Sequence, residues 1–175
     1  MTLPSPVNLG LHPAFRMVRA PLGKTFFYRG EHKRVIETEI IDGQRLRRIP
    51  GPLIYAVTDQ SGAIRYIGKW VSPTPLYARW FRHETVHHHK QSRDCYLAEL
   101  DAGRGPLTVW SASASELRRL LPSAVSLLDH ELVVALEGLW VRRWRSQLQW
   151  NYQTPKEPPA GFDDGEYWRV TALAA

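Results

Sequence analysis

Residues 53–69 read LIYAVTDQSGAIRYIGK. Two runs rich in β-branched and aromatic residues flank DQSG, a turn-forming tetrapeptide, so the stretch predicts a β-hairpin with strands at 53–58 and 63–69. A four-residue loop at 59–62 pairs Thr58 with Ala63, Ala56 with Arg65 and Tyr55 with Tyr66. Directly opposed residues of an antiparallel pair share one face and touch, so the two tyrosines are expected side by side. Such a pair also holds many sheets together with no chemical role, and its meaning depends on what surrounds it.

Outward from the hairpin, PLTVWSA (106–112) predicts a third strand. SPTPLYARWFRHE predicts a helix from Pro75, with Leu76, Trp80 and Phe81 apolar. HHHKQSRD reads as a polar loop. Ser113 and Glu116 stand in capping-box spacing at a helix start. Residues 126–148, SLLDHELVVALEGLWVRRWRSQL, carry the strongest helical pattern. Towards the N-terminus, VIETEI (35–40) and RLRRI (45–49) around IDGQ predict another hairpin, and residues 1–25, punctuated by Pro and Gly, predict irregular chain. YWRVTAL, after the acidic DDGE, reads as a last strand. The expected fold is α/β in the α+β sense. A small, mainly antiparallel three-stranded central sheet is flanked by helices in a core at 51–155, with an N-terminal hairpin extension at 1–50 and a tail at 156–175.

A chain of 175 residues, 43% hydrophobic with seven Trp, supports one domain with a real core. The net charge is +6 and unevenly spread: residues 1–100 hold 15 Lys/Arg against 8 Asp/Glu, residues 101–175 hold 8 against 9. A basic front suits a polyanion, although a soluble basic protein needs no such partner. Cys95 is the sole cysteine, which excludes an internal disulfide and makes a reducing cytoplasmic setting the simplest expectation. MTLPSPVNLGLHPAF has neither the basic nor the apolar region of a signal peptide. The most apolar stretch, ELVVALEGLWV, is broken by Glu137 and too short to span a bilayer, so no membrane partner is expected.

Three further features carry chemistry. Arg79 and His83 are four apart and share a helix face. Glu137 has Val133, Val134, Trp140, Val141 and Trp144 at helical neighbour positions, and a carboxylate in such a stripe needs a cation or metal beside it. His83, Glu84 and His87 spell H-E-x-x-H, the pattern of a helix-borne zinc protease site. That site would need a third protein ligand and a helix continuing through His87, where HHKQSRD offers little apolar patterning.

Taken in order, these pieces resemble the GIY-YIG nuclease family over roughly residues 51–155. LIY (Leu53, Ile54, Tyr55) answers its first motif, and YIGK (Tyr66, Ile67, Gly68, Lys69) its second. LYARWFRH answers the helix with an arginine and a residue four later, Arg79 and His83. EGLWVRRW answers the helix with the metal-binding glutamate, Glu137. Asn151 stands where the family often has a closing asparagine. Leu53 replaces the first glycine of the family name, and the thirteen-residue interval from Tyr66 to Arg79 contains an insertion, WVSPTP. The resemblance implies a metal-dependent endonuclease. Glu137 would hold one Mg²⁺ or Mn²⁺, an ion that favours oxygen ligands. Arg79 offers a planar fork to a phosphate. Tyr55 is the implied general base and Tyr66 orients water or phosphate. A phenol, with a reference pKa of about 10, needs a cation nearby, which Lys69 or His83 would supply. Asn151 is expected to tie down backbone. Arg45, Arg47 and Arg48, with Lys69, Arg142 and Arg143, are candidates for contacts to the nucleic-acid backbone. With no recognition domain visible after the core, a compact restriction-type enzyme fits, as a homodimer that cuts two strands of DNA. A DNA-degrading toxin or mobile-element nuclease fits too. A binding module that retains the fold without catalysis is the alternative of another class.

Overall fold

The structure is a computed structural model and describes residues 3–21, 25–28, 31–34, 36–39, 41, 50–74, 76, 90–121, 127–152, 154, 157, 162 and 165. After a 3-10 turn at Val7–Leu9, the chain forms β1 (His12–Arg19), β2 (Thr25–Tyr28), β3 (Glu31–Arg34), β4 (Ile36–Glu39), β5 (Leu53–Thr58) and β6 (Ile64–Trp70). Helix α1 (Lys90–Asp101), β7 (Leu107–Ser113), the short α2 (Ala114–Arg118) and α3 (Asp129–Trp144) follow. The fold is α+β. Its main sheet is fully antiparallel, in the order β4-β1-β7-β5-β6, and β2 and β3 form a separate two-stranded ribbon.

The sheet therefore has five strands, where three were expected. The N-terminal segment, expected to be irregular, supplies β1, which pairs with both β4 and β7. Pro13 misled the reading: it sits where the β1–β7 register shifts before Phe15, a bulge position at which a strand tolerates proline. Ala14, Phe15 and Met17 then bury into the core. β4 runs beside β1, while 45–49, the expected second strand of its hairpin, lie outside the described residues. So do the expected last strand at 167–173 and the helix after Pro75 beyond Leu76, itself helical. Residues 90–94, expected as loop, instead open α1, whose Tyr96 and Leu100 bury against the sheet. Burial of two side chains a turn apart fixes this helix, where the polar string alone gave no periodic signal.

Every residue of β5 is buried, because β5 lies between β7 and β6 and both sheet faces are covered. On one face Ile54, Ala56, Ile64 and Ile67 pack with α2 and α3, including Trp140 and Trp144. On the other, Leu53, Tyr55, Val57 and Tyr66 pack with Leu76, Tyr96, Leu100 and Trp150. Ser113 caps α2 with the expected box: its hydroxyl accepts from the Glu116 N–H, and its own N–H donates to the Glu116 carboxylate at 2.8 Å. Arg118 then donates to the Leu127 carbonyl and to Asp129, fastening α2 to the start of α3. Among the described residues no helix is long and apolar enough to cross a membrane.

Candidate functional site

The β5–β6 hairpin is shifted by two residues from the expected register. Tyr55 stands opposite Gly68 and Val57 opposite Tyr66, while Thr58 pairs with Ile64 across an irregularity that leaves Arg65 as the extra residue. The loop holds five residues, 59–63. Asp59 shapes it: Oδ1 accepts from the Ser61 N–H at 2.9 Å, the Ser61 hydroxyl at 2.6 Å and the Ala63 N–H at 3.1 Å, and Oδ2 accepts from Arg65 Nε at 2.6 Å. Burial works to raise the Asp59 carboxyl. The hydrogen bonds from Ser61 and Arg65, the Arg65 charge and the Ala63 N–H outweigh it and hold the group below the ordinary carboxylate range.

From Leu53 to Val57 the two-residue shift preserves the face of each side chain, whereas Ile64, beyond the irregularity, moves by one and joins the face of Ile54 and Ala56. Tyr55 and Tyr66 thus remain neighbours, now diagonal, with ring centroids 5.7 Å apart and planes tilted by 33°. Between them lies Gly68. A Cβ there would fall 2.7 Å from the Tyr55 hydroxyl and 2.7 Å from Tyr66 Cε1. The glycine of YIG is therefore the floor on which both rings rest, a role its place in the motif did not reveal. The rings continue as a chain: Tyr96 meets Tyr66 edge-on at 6.1 Å and Trp150 meets Tyr96 at 5.4 Å. Tyr55 is 1% exposed and Tyr66 7%.

Lys69 and Glu137 occupy the other side of β6. Lys69 is opposite Ile54, whose side chain belongs to the α3 face, and its ammonium donates to Glu137 Oε2 in a very close ion pair. The two side chains are 26% and 15% exposed. Around Glu137, four of the five expected helical neighbours, Val133, Trp140, Val141 and Trp144, are buried, and Val134 is partly buried. A carboxylate at the rim of an apolar face is tolerated because a cation neutralises it. The sequence held a signal for this division: Tyr66 and Lys69 are three apart, an odd interval, which in a strand means opposite faces.

Asn151 ties down the edge strand. Its Oδ1 accepts from the Ile67 N–H at 2.9 Å and its Nδ2 donates to the Ile67 carbonyl at 2.7 Å, while the Trp150 N–H donates to the Arg65 carbonyl at 3.1 Å. β6 ends the strand order, so this short segment occupies backbone groups that an edge strand leaves open. Near the turn, a cavity of about 530 Å³ is lined by the Asp59–Arg65 and Glu99–Arg104 pairs, Gln149 and Trp150. The hydrogen bond from Arg104 is the main influence that holds the Glu99 carboxyl below its ordinary range.

Of the basic candidates, Arg143 is exposed and Arg142 lies 3.8 Å from Glu157. Arg45, Arg47, Arg48, Arg79, His83, Glu84 and His87 lie outside the described residues. Among those described, no group of three or more His, Cys, Asp or Glu could hold a metal ion. A single carboxylate such as Glu137 suits an ion of the Mg²⁺ kind, which commonly takes one or two protein carboxylates and completes its shell with waters and substrate phosphate. The ammonium on Glu137 is the complication. Comparison of the chain with protein-family models, with curated proteins and with solved structures finds no match.

Proposed function

We infer that this chain is a metal-dependent DNA endonuclease of the GIY-YIG type. In this reading β7-β5-β6 with α3 is the nuclease core, and β1 and β4 extend its sheet. The observation that carries it is the convergence of motif residues on one edge strand. Tyr66 and Gly68 of β6 meet Tyr55, Lys69 meets Glu137, and Ile67 is held by Asn151. Three residues from elsewhere in the chain, Tyr55, Glu137 and Asn151, thus meet four consecutive positions, 66–69.

Glu137 would hold the divalent cation, Mg²⁺ or Mn²⁺. When bound, that ion supplies Lewis-acid charge to the scissile phosphate and its leaving oxygen. Arg79 would bind the phosphate through its guanidinium fork. Tyr55 and Tyr66, expected as base and orienting group, stand on the face of β6 opposite Glu137 and Lys69, so Lys69 is not the cation beside the Tyr55 phenol and the two rings do not reach a water on a Glu137-bound ion in this arrangement. For Tyr55, 1% exposed, to take that water's proton, the edge strand and the layer over the tyrosines would have to rearrange when substrate arrives. Exposed Arg143, with Arg45, Arg47 and Arg48, would make sequence-independent backbone contacts. A restriction-type homodimer acting in the cytoplasm is the biological form that fits best.

Purified protein should nick or linearise plasmid DNA with Mg²⁺ or Mn²⁺, and EDTA should stop it. A second reading has an observation of its own. Buried tyrosines and a neutralised glutamate also describe a nucleic-acid-binding module with no chemistry. Protein that shifts DNA in a gel but leaves it intact with every divalent metal tried would establish that reading. Casein hydrolysis lost only in Glu84→Gln would instead establish a zinc protease.

A further inference from the structure

Glu137 cannot stand alone on its helix. Val133, Trp140, Val141 and Trp144 around it are buried, so its carboxylate requires a positive partner whatever the ligand state. Lys69 now fills that place, on Oε2. The backbone that carries Lys69 is held: Asn151 pins Ile67 through both its N–H and its carbonyl, and Leu53 and Ile54 of β5 pair with Trp70 and Lys69. What can move is the lysine arm, a point charge on a flexible four-carbon stem, unlike the rigid fork of an arginine.

We propose that Lys69 and a divalent cation compete for the Glu137 carboxylate. Lys69 is then a resident substitute for the metal. It keeps the carboxylate neutralised in the free protein, and it yields when an anionic phosphate offers the ammonium another partner. This rests on the metal-binding role given to Glu137 above. A dication and an ammonium in contact with one carboxylate repel each other, and at such distances a unit charge shifts an affinity by roughly tenfold or more. Because coupling is reciprocal, a phosphate that draws Lys69 away raises metal affinity, and bound metal raises phosphate affinity.

The test is Mn²⁺ binding without substrate, read from the electron paramagnetic resonance signal of the free ion, for the parent, Lys69→Met, Glu137→Gln and the double variant. Lys69→Met should bind Mn²⁺ at least tenfold more tightly than the parent, and the double variant should lose that gain. Lys69→Met strands a carboxylate and can fold poorly. Lys69→Gln, which keeps a hydrogen-bond donor without the charge, serves as the second variant and should show the same gain. The metal-induced rise in melting temperature should likewise be larger in both lysine variants than in the parent. Equal affinity in the parent and both lysine variants, with binding lost in Glu137→Gln, overturns the competition but leaves Glu137 as the metal ligand. Mn²⁺ binding indifferent to Glu137 in every variant overturns both.

Discussion

On one side of β6, Tyr66 and Gly68 meet a layer of rings; on the other, Ile67 and Lys69 meet α3. The first side is closed and held by shape, with an aromatic chain from Tyr55 to Trp150 resting on a glycine that cannot be enlarged. The second side is held by charge, a partly exposed ion pair at the margin of an apolar helix face. The difference separates two kinds of dependence. Loss of a methyl or hydroxyl matters on the tyrosine side through packing. Loss of a charge matters on the helix side through what the carboxylate can hold.

The largest effect should come from Glu137→Gln, which keeps the shape and removes the charge. Plasmid cleavage should fall by roughly a hundredfold or more, as when a charged transition state loses its metal. DNA binding, carried by dispersed cations, should survive, and Glu84→Gln should cleave nearly as the parent does. Tyr55→Phe beside it decides whether the closed face takes part. A loss comparable to that of Glu137→Gln makes the tyrosine a reacting group. Cleavage within about twofold of the parent, by the reading of kinetics as free energies, leaves it a core ring.

Gly68→Ala probes the closed face alone. Its new methyl meets two rings at 2.7 Å, and overpacking of this kind costs about 1–3 kcal/mol. Urea unfolding should show that loss. Tyr55→Phe, by removal of the hydroxyl nearest the methyl, should restore part of it, a non-additivity expected of residues in contact. Strictly additive losses would mean that the rings move aside freely.

Asn151→Ala removes two hydrogen bonds from Ile67 at once and should cost about 1–2 kcal/mol, less if water replaces the amide. Hydrogen exchange should speed up at the Ile67 amide. An unchanged rate there would show that the edge strand needs no tie.

The smallest effect lies in the turn. Asp59 is held below its ordinary value of 3.8, so its contribution is fully present above that pH and lost as pH falls through the lower folded value. Asp59→Asn should flatten the acid limb of stability below pH 4 by about 1 kcal/mol or less, the range of an ion pair near the surface. Thermal melts across that interval measure it.

Much of this was legible in the sequence for reasons that survive tertiary error. The tyrosines share a face under the expected register and under the observed one, because a shift of two preserves parity. The Ser113 box and the α3 stripe were legible because capping and helical period are local. Other features depend on distant partners. β1 exists because β7 and β4 offer it hydrogen bonds on both sides, and α1 because Tyr96 and Leu100 find a buried place on the sheet. The hairpin register rests on the Asp59 turn and on the extra residue Arg65. The sequence by itself determined which residue types stand at the edge strand and which helix carries the glutamate, since periodicity is a property of neighbours along the chain. Only the tertiary structure decided that Lys69 neutralises Glu137 on the side of β6 opposite the tyrosines, and that Asn151 spans to Ile67. Those contacts join residues 68 and 84 positions apart, and packing against the whole sheet, not local preference, brings them together.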